Sequence, residues 1–192
     1  MKITRGNLRA IIREMLLREQ DETAGCDRLL AAVLASEVTS EPPVAVDEMR
    51  AIYDVIQTRA KYRFKGHPVG DIAAQITAKG QFSGYNDFKD TDSFIAYYSG
   101  TAPDSAYSVP KEKVATEKFL RKKQFKRACD AVRLGPRGYG ATHFVNPQAA
   151  STELKWWETE NFKSAGMVGK HLFGWETSAS QALEAYNDRN TD

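Results

Sequence analysis

Apolar positions recur at helical intervals through most of the first 135 residues, then give way to a turn-rich, β-prone pattern. Ile3, Leu8, Ile11, Ile12, Met15 and Leu16 gather opposite a face of arginines, which predicts an amphipathic basic helix over 1–20. A polar break at 21–25 separates it from the next segment. Asp27 is a good N-cap for a second helix, whose apolar stripe is Leu29, Leu30, Val33, Leu34 and Val38. Pro42 and Pro43 end that helix, because a residue before proline is pushed away from helical angles. Met49, Ile52, Tyr53 and Ile56 predict a third helix from about Asp47. A short helix over 71–77 leads into a turn at 79–84. Residues 87–110 read as loop with one helical turn at 93–98. A long basic helix over 111–134 is stopped by Gly135 and Pro136. The last third carries strand-prone segments at 139–147 and 166–175, and Trp156 and Trp157, adjacent, would face opposite ways in a strand.

The fold class expected is mainly helical α+β, with a small β-rich part. A chain of 192 residues is about one domain long, and 42% hydrophobic residues suffice for one core. No apolar run approaches the roughly 18 residues of a membrane span. Charged residues interrupt the start of the chain where a secretory signal would need a continuous apolar stretch, so a route other than general export is expected. Cys26 and Cys129 lack metal-ligand spacing and read as two buried free thiols. His67, His143 and His171 form no zinc-binding pattern, so neither metal nor cofactor is expected.

Glu37 is the residue with the most chemistry in it. It lies four positions after Val33 and seven after Leu30, so it projects from the apolar side of its helix, in the last turn. Desolvation and the negative end of the helix dipole both disfavour its carboxylate. A carboxyl that keeps its proton towards neutral pH is what a general acid needs to protonate a glycosidic oxygen. The alternative is a boundary glutamate paired with a cation such as Arg59. The residues alone leave both open.

Several blocks occur in a telling order. Glu37-Val38-Thr39-Ser40-Glu41 is followed by a helix ending in Thr58-Arg59, then His67-Pro68, then Gly80-Gln81-Phe82-Ser83. Ala141-Thr142-His143-Phe144 and Gly169-Lys170-His171-Leu172-Phe173 come later. This order resembles the SleB-type cell wall hydrolases, known from spore-cortex lysis and from phages, over about residues 28–86 and 138–175. The resemblance implies a lysozyme-like, lytic-transglycosylase-like single domain over 23–192, from which this chain departs by a basic helical insertion at about 87–137; 1–22 reads either as a leader or docking segment or as an extra helix packed on the domain. It implies cleavage of peptidoglycan between N-acetylmuramic acid and N-acetylglucosamine, with Glu37 catalytic. It differs from the family in having Val38-Thr39-Ser40 between the two acids and Thr58 before Arg59.

Glycoside hydrolysis usually employs two carboxylates. Prolines turn Glu41 away, so it reads as a supporting acid beside Arg59, and a single-acid route suits the family resemblance. Glu37 would protonate the leaving oxygen and then draw the proton from the sugar's C6 hydroxyl, giving a 1,6-anhydro product. Gln81 and Ser83 can hydrogen-bond the glycan, and Tyr85 can stack on it. Phe82 can stack too, or pack in the core. His143 and Asn146 are expected to line the same cleft, and His171 reads as a satisfied buried histidine.

Between 111 and 137, ten cations face three acids, a local charge of +7. Such a stretch attracts polyanions or is a solvated helix face, with Val114, Phe119, Leu120, Phe125, Ala128, Cys129 and Val132 packing on the domain. No nucleic-acid motif accompanies it, so no specific nucleic-acid partner is expected. The preferred setting is a phage lysin or virion-associated enzyme, made in the cytoplasm and delivered to the wall by phage-type release. The rival is an inactive virion structural or glycan-binding protein on the same scaffold.

Overall fold

The computed structural model describes residues 23–38, 44–62, 70–78, 81–150 and 156–176, apart from the side chains of Ser83 and Trp156. The segment 1–22, Glu41 and His67 lie outside these residues. Helix α1, Arg28–Glu37, starts where Asp27 accepts from the Leu30 amide at 3.1 Å. Six consecutive residues, Leu30 to Ala35, are buried. Only a helix enclosed on all sides buries six in a row, and its three alanines let neighbouring helices come close.

Helix α2, Val44–Lys61, begins earlier than the Asp47 read from the sequence, because Ala45 is itself a core residue. Helices α3 (Ile72–Thr77) and α4 (Ser83–Asn86) flank the turn that carries Gln81 and Phe82. Helix α5, Thr91–Tyr98, is two turns long where one was expected. Asp90 nucleates it, accepting from the amide and hydroxyl of Ser93, which hold its carboxyl below the usual range. Its Phe94 packs edge-on against Phe88 and at a tilt against Tyr98, so an aromatic cluster replaces the loop expected there. A 3-10 turn at Asp104–Ala106 precedes helix α6, Lys111–Leu134.

Helix α6 is a core helix on one face. Phe125, Ala128, Cys129 and Ala131 pack into the cluster that holds α1 and α2, whereas Phe119 and Leu120, expected to pack, are 64% and 52% exposed. The cysteines also depart from expectation. Cys26 and Cys129 form a disulfide, Cα atoms 5.5 Å apart, tying the start of α1 to the end of α6. A separation of 103 residues hides such a pairing from the sequence.

The last third forms a three-stranded antiparallel sheet in the order β1-β3-β2, from His143–Val145, Phe162–Val168 and His171–Glu176. Trp156 and Trp157 lie on a 3-10 turn, Trp156–Glu158, not in a strand, and Trp157 is buried. The mainly helical α+β class is as expected.

Candidate active site

Helix α2 anchors the sheet end of the molecule through three buried charged residues. Asp54 accepts from the amides of Gly138 (3.2 Å) and Gly140 (2.8 Å), both at positive φ, and so fixes the loop before Thr142. Arg59 donates from Nε to the Thr142 carbonyl at 2.7 Å and from Nη1 to Gln81 Oε1 at 2.8 Å. One guanidinium thereby links two blocks 61 positions apart in the chain. Glu48 Oε1 accepts from the Lys170 amide (2.7 Å) and His171 Nδ1 (2.8 Å), holding the β2–β3 turn.

Glu37 is the last residue of α1 and partly buried. Burial raises its pKa above the ordinary 4.5, while the positive charges of His171 and then Arg59 oppose that rise. Burial in turn lowers Arg59 to about 10, with Glu37 resisting, so the guanidinium stays charged at neutral pH. The third neighbour is Tyr98 at the end of α5. Burial raises its hydroxyl, Arg121 opposes by charge and hydrogen bond, and Glu37 adds to the rise. The Arg121 guanidinium sits over the rings of Tyr97 and Tyr98, 4.1 and 4.9 Å from their centroids.

Gly84 closes the approach from α4. A Cβ there would meet Ser36 Cβ and Oγ at 3.2 Å and the Tyr98 hydroxyl at 3.4 Å, so the turn after Phe82 packs beside the end of α1. The site therefore assembles Glu37, Arg59, Gln81, Tyr98 and His171 from α1, α2, the α3–α4 turn, α5 and β3. Among the described residues no cluster of His, Cys, Asp and Glu is suited to a metal ion. The arrangement provides one proton-retaining carboxyl flanked by cations and hydrogen-bonding groups, which is what acid–base chemistry requires.

The other expected site residues make contacts of their own. Phe82 is 1% exposed and stacks on Phe144 with centroids 6.3 Å apart, so it is core and cannot stack on a sugar. Tyr85 turns its hydroxyl to Thr91 (3.0 Å) and sets its ring against Phe94, supporting α5. Asn146 Oδ1 accepts from the amides of Gln148 (3.1 Å) and Ala149 (3.3 Å), the local bonding that favours asparagine in turns. His143, half-buried on β1, has Nδ1 2.9 Å from Thr142 Oγ1 and Nε2 3.9 Å from Glu176. His171 is buried and hydrogen-bonded as expected, yet its charge reaches Glu37. Sequence reasoning missed Glu48, Asp54, Tyr98 and Arg121. Glu48 and Asp54 carried a signal: they interrupt the stretch around Met49, Ile52 and Tyr53 on positions that a purely solvated face would not need.

No protein-family model matches the chain, and none of the curated proteins does. Two solved structures are similar to it. One is the catalytic domain of the Bacillus cereus SleB protein, 20% identical over 81% of this chain and 90% of that one, with a TM-score of 0.45. The other is the catalytic domain of the germination-specific lytic transglycosylase SleB from Bacillus anthracis, 18% identical over 81% and 94%, with a TM-score of 0.46.

Proposed function

We propose that the protein cleaves peptidoglycan between N-acetylmuramic acid and N-acetylglucosamine as a lytic transglycosylase, with Glu37 as its acid and then its base. The observation that carries this reading is the state of Glu37: a partly buried helix-terminal carboxyl whose burial favours the protonated form, with Arg59 and His171 present to favour the carboxylate once the proton has gone. A single group that must give a proton and take one back needs both influences. The substrate comes from the resemblance of the Glu37, Gln81 and His143 blocks to those of SleB-type hydrolases. Arg59 fixes the Gln81 side chain through its Oε1, and the amide nitrogen is the group that would donate to an N-acetyl or hydroxyl oxygen. Phe82, Tyr85 and Asn146 support the walls of the site without touching glycan. The setting that goes with this reading is a phage lysin or virion-associated enzyme.

Digestion of purified sacculi followed by mass spectrometry tests it. Wild type should release fragments ending in 1,6-anhydro-N-acetylmuramic acid, and Glu37→Gln should release none. Ordinary reducing ends would replace the intramolecular route by attack of water. Intact sacculi from several wall types would overturn the enzymatic reading.

A further inference from the structure

Helix α6 turns unlike faces to the core and to solvent. Val114, Phe125, Ala128 and Cys129 are buried on its inner side. At about 100° per residue, Phe119 and Leu120 straddle the line directly opposite, which runs through Thr116, Lys123 and Leu134. Phe119 is 64% exposed, Leu120 52% and Leu134 61%. These are three of the six large apolar side chains that stand exposed among the described residues, and they share one ridge of one helix. Single exposed apolar residues are ordinary, but an aligned set on a basic helix marks an interaction surface.

The ridge is also charged. Lys113, Lys123 and Lys126 are exposed, and the stretch 111–137 carries +7. Two of its three acids are engaged within the helix, Glu117 with Arg121 and Asp130 with Arg133. A second copy of the chain would set this basic face against itself. A polyanion with no apolar layer would leave Phe119 and Leu120 in water. A bilayer with anionic headgroups answers both: phosphates meet the lysines, the layer beneath takes the apolar side chains, and the lysine stems span the boundary. We propose that the outer ridge of α6 docks the protein on a bilayer rich in anionic phospholipid, with Phe119 and Leu120 entering the interface and Lys123 seated among the headgroups.

The contact is superficial, since no helix among the described residues is long and apolar enough to cross a membrane. It also stays clear of the candidate active site. Arg121 and Gln124, on the inner side of α6, are the residues that meet Tyr98 and the Val38 carbonyl beside the end of α1. Docking through the outer ridge therefore keeps the thickness of α6 between lipid and Glu37. Lipid binding and glycan cleavage are thus separable, and the proposal does not depend on the role of Glu37.

Flotation of the full chain with lipid vesicles tests it. Wild type should float with vesicles of equal parts phosphatidylglycerol and phosphatidylcholine, and stay behind with phosphatidylcholine alone. Phe119→Ser/Leu120→Ser should lower the partition coefficient by more than about tenfold, from the apolar surface withheld from the interface. Lys123→Gln should lower it about fivefold, the worth of one lysine at an anionic surface. Met167→Ser, which removes an exposed apolar side chain on β2, should change nothing. These side chains are exposed, so each variant should melt with wild type, and Lys123→Gln keeps the test open if the double variant does not fold. A wild type that stays behind with both kinds of vesicle overturns the proposal. Flotation that survives the double variant overturns it too, and would assign the affinity to charge alone or to another part of the chain, residues 1–20 included. Equal retention of wild type and double variant by soluble polyglycerol phosphate, with no flotation, would put an anionic polymer in place of the bilayer. A dimer in sedimentation that the double variant dissolves, again with no flotation, would make the ridge a contact between copies.

Discussion

Helix α2 and the end of helix α1 both bury acids, and they treat them in opposite ways. Asp54 and Glu48, on α2, receive hydrogen bonds from backbone amides and an imidazole at 2.7–3.2 Å, and each fixes a distant loop. Glu37, at the end of α1, sits where burial outweighs the cations beside it and leaves the carboxyl hungry for its proton. A buried acid that is richly bonded is an anchor. One that is enclosed but under-stabilised is a reagent. Among the described residues the difference lies in what the surrounding backbone donates, and it can be broken residue by residue.

The largest effect should come from Glu37→Gln. If Glu37 is the proton donor, fragment release falls by roughly 10²–10⁴-fold, the usual worth of a positioned general acid. Stability should move the other way. An acid whose folded pKa is raised imposes no cost below its unfolded pKa near 4.5, and the cost grows as the pH rises through the folded value. Glu37→Gln should therefore melt higher than wild type at neutral pH, with the gap closing below about pH 4.5. Calorimetry at pH 4 and pH 7.5 checks this. A variant that melts lower at pH 7.5 would make Glu37 an anchor like the other two.

Arg59→Met should rank second, at about 3–5 kcal/mol of stability, the usual cost of removing one member of a buried charged network. Denaturant melts read that loss. The Thr142 carbonyl and Gln81 lose their common donor, and Glu37 loses a cation. Asp54→Ala comes next, at roughly 1–3 kcal/mol for each amide left unsatisfied, with Gly138 and Gly140 the two affected. Its hydrogen exchange should quicken at those two amides first. Reducing the Cys26–Cys129 disulfide should cost about 2–4 kcal/mol, since it closes a long loop in the unfolded chain. Melting with and without reductant measures it, and activity of the still-folded reduced protein should persist, because the bond lies at the far end of α1 from Glu37.

What the sequence made legible depends on which forces act locally. The helices α1, α2 and α6 show in hydrophobic spacing, and Glu37 shows because an acid on an apolar stripe next to a helix end is locally anomalous. The Gly-Gln-Phe-Ser block was recognisable as a block, yet its parts divide: Gln81 is drawn into the site by Arg59, while Phe82 is drawn into the core by Phe144. That division depends on contacts with residues 22 and 62 positions away, which no local pattern carries. Helix α5 was read as mostly loop because its stability comes from an Asp90 cap and an aromatic cluster with Phe88, not from apolar periodicity. Tyr98 and Arg121 escaped notice for the same reason: their importance comes from α5 and α6 meeting beside Glu37.

Asn146 offers the smallest effect and a sharp one. A glycan-binding asparagine and a turn-forming asparagine differ in what a substitution disturbs. Its Oδ1 accepts from two amides of its own turn, at 3.1 and 3.3 Å, so Asn146→Ala should cost about 0.5–1.5 kcal/mol per bond lost and loosen the stretch after β1. Asn146→Asp keeps that acceptor oxygen and should restore most of the stability. If the residue forms only the turn, fragment release at substrate saturation and at limiting substrate should change together and by less than about twofold for Asp. A rise in KM confined to the Asp variant, with stability restored, would place Asn146 among the groups that touch substrate and move the boundary between anchor and reagent out to β1.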